Sequence, residues 1–198
     1  MHALCTTHLD AIKRIFRYLQ GIMEHGLWFC SSRSPSLVVA YSNADWVGCR
    51  DSYRSTTRYA IFLGPNLIAW CSKKQPTISE SSTEAEYRAL GYTVVETIWV
   101  QKLLFDLCIT ISSPVRLYYD NLSAIYMCTN PVQHDRRKYI AMDYHFVHER
   151  VTDGDLVIRY ILNSIQVTDV FIKGLSTQQF LLHRNNLSLH SPDQIEGV

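Results

Sequence analysis

Three acids stand where an α/β chain would gather carboxylates. Asp120 directly follows the strand-like run 115–119, Glu86 lies in the first turns of a long helical pattern, and Asp169 opens the last helical stretch. Open α/β sheets place their ligands at a topological switch point, where the ends of adjacent strands converge. Carboxylates collected there suit Mg²⁺, a hard ion that is held by a few carboxylates together with substrate phosphates. Two such ions about 4 Å apart can clamp an in-line phosphoryl displacement. Acids at element ends also act as caps or as solvated surface, so residue type alone leaves both readings open.

The elements that must hold these acids follow from periodicity. Residues 8–20 carry Leu9, Ile12, Ile15, Phe16 and Leu19 at helical spacing, with Lys13, Arg14 and Arg17 between them. Gly21 can end that helix, 27–29 reads as a short strand, and the polar, proline-closed stretch 31–36 is the best linker. Strands are expected at 37–45, 59–63 and 67–71, the last two joined by Gly64-Pro65-Asn66. A helix over 84–107 has Tyr87, Leu90, Val94, Ile98 and Leu103 along one side. Ser81-x-x-Glu84 and Thr83-x-x-Glu86 both fit a capping box at its start. Pro114 precedes a strand at 115–119, followed by a helix at 122–128 that Asn130-Pro131 ends. A helix at 142–151, a strand at 156–161, helical material from Val167 and a frayed tail complete the chain. Antiparallel strands feeding βα units predict an α/β fold with one mixed sheet and helices on its faces.

Composition narrows the class. The 198 residues are 47% hydrophobic and 19% charged, and 19 basic against 18 acidic residues leave a net charge of +1. That excludes a disordered chain and a generally basic nucleic-acid coat, though not local basic patches. No apolar run approaches the roughly 18 residues of a membrane span, so no membrane partner is expected. The start lacks a secretory signal. Six scattered cysteines without a Cys-x-x-Cys pair read as reduced thiols of an intracellular protein.

Longer motifs are more specific. The run Tyr41-Ser42-Asn43-Ala44-Asp45-Trp46-Val47-Gly48-Cys49 is followed by Arg54-Ser55-Thr56-Thr57 and by Leu67-Ile68-Ala69-Trp70-Cys71-Ser72-Lys73-Lys74-Gln75-Pro76. Then come Ser81-Ser82-Thr83-Glu84-Ala85-Glu86-Tyr87-Arg88-Ala89-Leu90, Tyr119-Asp120-Asn121, Asn130-Pro131-Val132-Gln133-His134 and Asp169-Val170-Phe171-Ile172-Lys173-Gly174-Leu175. In this order, over residues 37–176, they resemble the ribonuclease H region of copia-type retrotransposon polyproteins. Residues 8–30 resemble the tail of the preceding reverse-transcriptase and connection region.

The resemblance implies a ribonuclease H-like fold, a mixed five-stranded sheet flanked by helices, that hydrolyses the RNA strand of RNA–DNA hybrids. It divides the chain into a polymerase remnant at 1–35, the ribonuclease H-like domain at 36–176, and a C-terminal helix and tail at 177–198. It implies the reverse-transcriptase region of the parent polyprotein as a partner and a cytoplasmic setting in a virus-like particle. Four acids holding two Mg²⁺ ions do the chemistry in the family. Carried over, Glu86, Asp120 and Asp169 are the metal-ligating acids, and the fourth catalytic position is occupied by Asn43.

Asn43 keeps a carbonyl oxygen but loses the negative charge. Two divalent ions about 4 Å apart repel by roughly 16 kcal/mol at an effective dielectric near 20, which the carboxylates must offset. Asp45 points to the same face, but about 6.7 Å further along the strand. Hydrolysis is therefore expected to be impaired. The alternative is a non-catalytic module that binds nucleic acid or a polymerase partner.

Further departures from the family are Arg58 for Gly, Tyr139 for His, Ile172 for Thr, and Ile165 ahead of Gln166 where His is common. For contact with hybrid phosphates the candidates are Lys73 and Lys74, Arg136, Arg137 and Lys138, and Arg50, Arg54 and Arg58. The 2′-hydroxyl in the wide minor groove would identify the RNA strand. Glu84 is expected to serve the helix dipole, His145 to be structural, and Trp46, Trp70 and Trp99 to be core.

Overall fold

A computed structural model describes residues 5–31, 37–111, 113–129 and 141–191. The chain opens with α1 (Thr6–Gln20) and the two-residue strand β1 (Gly26–Leu27). Three strands follow: β2 (Val38–Asp45), β3 (Thr56–Leu63) and β4 (Asn66–Lys74). Then come α2 (Ser82–Asp106), β5 (Val115–Tyr119), α3 (Leu122–Thr129), α4 (Ala141–Thr152) and β6 (Leu156–Tyr160). A 3₁₀ turn at Val167–Phe171, α5 (Thr177–Asn186) and β7 (Leu189–His190) close the described chain.

Five strands form one mixed sheet in the order β4-β3-β2-β5-β6. β2 runs antiparallel to β3 and parallel to β5, and β5 runs parallel to β6. Side chains alternate between the faces. On one face Val38, Ala40, Tyr59, Ile61, Val115, Leu117 and Tyr119 meet Tyr87, Leu90 and Val94 of α2 together with α3 and α4. On the other, Ala60, Phe62 and Leu67 meet Val167 and Leu187, with Val39 and Tyr41 alongside. Both faces are covered, so β3 is buried almost throughout its length.

Of the two candidate N-caps, Ser81 is the one used, with half of a capping box formed. Its Oγ accepts from the Glu84 N–H, and Glu84 in turn accepts from the Glu80 N–H. Glu84 is also buried and paired with Arg88 at 2.6 Å, so it does more than complement the helix dipole. Relieved of a capping duty, Glu86 is left to face the end of β5. Gly91 lets α4 approach α2, because a Cβ there would lie 3.2 Å from Asp143 Oδ1.

Several expectations are corrected. Trp46, Trp70 and Trp99 are 48%, 56% and 60% exposed and do not belong to the core. Two of the expected strands are longer, β3 starting at Thr56 and β4 running to Lys74. α1 buries none of its residues. The strand at its end, β1, pairs with β7 across the whole chain, and Leu27 packs against the second core. All six cysteines are free. Among the described residues no helix is long and apolar enough to cross a membrane. Arg136, Arg137, Lys138 and Tyr139, the Asn130-Pro131 stop and most of the 31–36 linker lie outside the described residues.

Candidate active site

The sheet brings the four positions together at one end. Asn43 stands near the end of β2, directly opposite Arg58 on antiparallel β3. Asp120 follows Tyr119, the last residue of the neighbouring parallel strand β5. Asp169 arrives on the 3₁₀ turn, on the sheet face that carries Val39 and Tyr41. Glu86 leans in from the second turn of α2.

Asn43 is the hub. Its Nδ2 donates to Asp120 Oδ2 at 3.1 Å and to Asp169 Oδ1 at 3.2 Å, while its Oδ1 accepts from the Ala44 N–H at 2.7 Å. This orientation is dictated by chemistry, since ionised carboxylates only accept and the amide must turn its donors toward them.

Asp169 is 4% exposed and both of its oxygens are engaged by cations. Arg58 Nη1 lies 3.1 Å from Oδ1, and Lys173 Nζ lies 2.8 Å from Oδ2. Arg58 is itself 2% exposed, so it is withdrawn from the phosphate-contacting surface expected of it. A buried guanidinium is tolerable only when paired.

Glu86 receives a hydrogen bond from Asn121 Nδ2. Burial, then the charge of Asp120, push its carboxyl up to about 7, and the Asn121 donor opposes them. Asp120 is raised as well, by burial first and also by Asp169, with its own backbone N–H, Lys173 and Arg58 pulling the other way. One of the three acids thus holds its proton until near neutrality.

Other residues take less expected places. Asp45 cannot replace position 43, because its carboxylate folds back against Gly48, where a Cβ would collide with it. His145 is exposed on α4 and rests edge-on against Tyr144. Lys73 and Lys74 are exposed on β4, beside a cavity of about 610 Å³ that Arg54, Tyr92 and Glu96 also line. Lys74 Nζ lies 3.0 Å from Cys49 Sγ, and that contact, then Ser52, lowers the thiol to about 6.

Three neighbours of the site escaped sequence reasoning. Gln166 is fully buried and donates from Nε2 to the Ser42 carbonyl. Thr93 donates to the Ser42 hydroxyl from α2. His183 of α5 is buried close enough to Asp169 to feel its charge, although burial dominates and lowers its basicity. Gln166 and Thr93 are fixed by Ser42, more than fifty residues away, and His183 by the proximity of Asp169 in the fold; only Gln166 had a local signal, standing one residue after the position where the family commonly has His.

The implied pair of Mg²⁺ ions fits this centre poorly. Asp169 has no oxygen free of a cation, and Asn43 presents donors rather than an acceptor toward the acids. Against three carboxylates stand the positive charges of Arg58 and Lys173. Among the described residues no three His, Cys, Asp or Glu side chains are disposed to hold a metal ion.

Strand order, the flanking helices and the acids at the end of the central parallel pair together define a ribonuclease H-like domain. The fold is similar to that of a ribonuclease H1 isolated from compost by a metagenomic approach, with a TM-score of 0.51 and 14% identity. That similarity covers 68% of this chain and 91% of the other. No protein-family model matches. The relatives are more particular. The chain is 44% identical over 180 residues to the retrovirus-related Pol polyprotein from transposon RE1 of Arabidopsis thaliana, covering 91% of this chain and 12% of that protein. It is 33% identical over 184 residues to the corresponding polyprotein from transposon TNT 1-94 of Nicotiana tabacum, covering 93% of this chain and 14% of that one. Over nine-tenths of its length the chain is thus similar to one segment of these retrotransposon Pol polyproteins, and it has a ribonuclease H-like fold. It spans about an eighth of the length of these relatives.

Proposed function

We propose that this domain engages RNA–DNA hybrids and that its cleavage of the RNA strand is impaired. The observation that carries the reading is the Asn43 amide, which donates to Asp120 and Asp169 where the family resemblance calls for a fourth carboxylate. The residues fit two divalent ions poorly. What the chain itself offers is Glu86, able to hold a proton near neutral pH beside Asp120.

Hybrid binding is supported by the fold, by the Pol relatives and by the sheet's own geometry. Thr57 pairs with Lys73 and Thr56 with Lys74, one and two registers beyond the Asn43–Arg58 row. With strands about 4.8 Å apart, the basic pair lies on the order of 10 Å across the sheet from Asn43. A phosphate backbone running past the site would meet these lysines.

A second reading, docking to the reverse-transcriptase region of the parent polyprotein, is favoured by α1. Its apolar stripe of Leu9, Ile12, Ile15, Phe16 and Leu19 is exposed along its whole length. The cytoplasmic, virus-like-particle setting belongs to the same proposal.

The test uses purified chain, hybrid with a labelled RNA strand, and binding followed by anisotropy. Binding without cleavage above a Glu86→Gln control supports the reading. Cleavage that Glu86→Gln abolishes overturns the impairment, and no binding by anisotropy overturns the hybrid as partner.

A further inference from the structure

Arg58 is the member of this centre that the family resemblance leaves without a role. We propose that Arg58 is a built-in cation that supplies, at Asp169, the positive charge a divalent ion would otherwise bring, and that positions 43 and 58 act as one coupled pair. This rests on the reading of the centre as impaired, and extends it from one residue to two.

Arg58 is almost fully buried on a central strand, and among the described residues its ion-pair partner is Asp169. The pairing spans 111 residues of sequence, so it is a product of the tertiary fold. Asn43 lies directly across from Arg58 on the same sheet face, where the Cβ atoms of opposed residues stand about 5 Å apart. Both reach Asp169 Oδ1, while Lys173, one helical turn after Asp169, occupies Oδ2.

Two consequences follow. The orientation of Asp169 is set by Arg58 and Lys173 without any bound ion. Restoring a carboxylate at position 43 alone would place it against Arg58, whose guanidinium carries a planar fork of donors suited to a carboxylate. The new acid would be captured by the arginine. A neutral residue at 43 is therefore the one that leaves the Arg58–Asp169 pair undisturbed, and the Asn and the Arg support each other.

The experiment is a Mn²⁺ titration followed by the loss of free-ion EPR signal, without nucleic acid, so that its outcome is independent of hybrid binding. Wild type, Asn43→Asp, Asn43→Asp with Arg58→Gly, and Asn43→Asp with Arg58→Met are compared after circular dichroism confirms folding. Methionine keeps the volume of the arginine stem if glycine does not fold. Asn43→Asp is expected to bind no more tightly than wild type, and the folded double variant about tenfold or more tighter than either. A gain of about tenfold in Asn43→Asp alone overturns the proposal whether or not the double variants fold. So does a folded double variant that binds no better than Asn43→Asp.

Discussion

Asn43 and Arg58 face each other across β2 and β3 and donate to the same atom, Asp169 Oδ1, at 3.2 and 3.1 Å. A strand pair that would carry a carboxylate opposite a small residue in the family resemblance instead carries an amide opposite a guanidinium. The result is a hydrogen-bonded node in which Asp169 is satisfied from three sides. Its worth to the fold and its effect on chemistry are separable by mutation.

Asp169→Asn removes the counter-charge of a buried arginine. Breaking a buried pair from one side typically costs about 3–5 kcal/mol, far more than a surface change. Urea denaturation should show a loss of that order. Adding Arg58→Met should recover much of it, because the stranded charge is then gone. Equal stability of Asp169→Asn and wild type would mean that water, not Asp169, solvates Arg58.

The Glu86 carboxyl yields a pH signature. Held at about 7, it keeps its proton in the folded chain after the unfolded chain has lost it near 4.5. The unfolded state therefore binds fewer protons across that window, so this group lowers stability as pH rises from about 4.5 to about 7, with no further change above. Glu86→Gln should match wild type near pH 4 and show a higher urea midpoint near pH 8. Asp120, shifted in the same direction, should leave a residual slope. Parallel pH profiles for the two proteins would contradict the assignment.

For Lys73 and Lys74 the informative quantity is salt dependence. Each phosphate contact contributes about 0.7–0.9 to the slope of log affinity against log salt. Replacing both by Ala should reduce that slope for a hybrid by up to about 2 and weaken binding without regard to sequence. Both side chains are exposed, so the thermal midpoint should hold. An unchanged slope would remove β4 from the interface.

Truncation should separate α1 from the strand behind it. Deleting residues 1–21 removes a helix with no buried residue, whose described ring contact is Tyr18 against Phe180. The urea midpoint should stay in place. Deleting residues 1–31 also removes β1, the Leu27 side chain and the Trp28 hydrogen bond to the His190 carbonyl. That loss should cost about 1 kcal/mol or more, the scale of a typical single destabilising change. Equal midpoints for both truncations would show that the β1–β7 pair contributes nothing.

Much of this architecture is local and hence readable in one dimension. The helical period from Tyr87 to Leu103, the turn chemistry of Gly64-Pro65-Asn66 and the stop before Pro114 each depend on neighbours within a few residues. They place Glu86 near the start of α2 and Asp120 at the end of β5. Since strand ends converge in an α/β sheet, that placement already brings these acids to one edge.

Arg58, in contrast, reads in sequence as one more basic residue near Arg50 and Arg54. Period-two alternation in β3 says which residues share a face, not whether that face will be covered. Only the arrival of the 3₁₀ turn, with Leu187 beyond α5, over this sheet face buries it, and only Asp169 makes that burial tolerable. The tryptophans fail in the opposite sense: large apolar side chains are usual core material, yet Trp70 on the edge strand β4 and Trp99 on α2 are more than half exposed. Sequence by itself determined the elements and set Glu86 and Asp120 at element ends, because hydrogen-bonded periodicity and strand-end position act over short range; the motif resemblance is what singles out these acids as a set. Tertiary structure alone decided that a buried guanidinium pairs with Asp169 and that an amide donates to Asp169 and Asp120, because the partner of a buried group is chosen by whatever the fold packs against it.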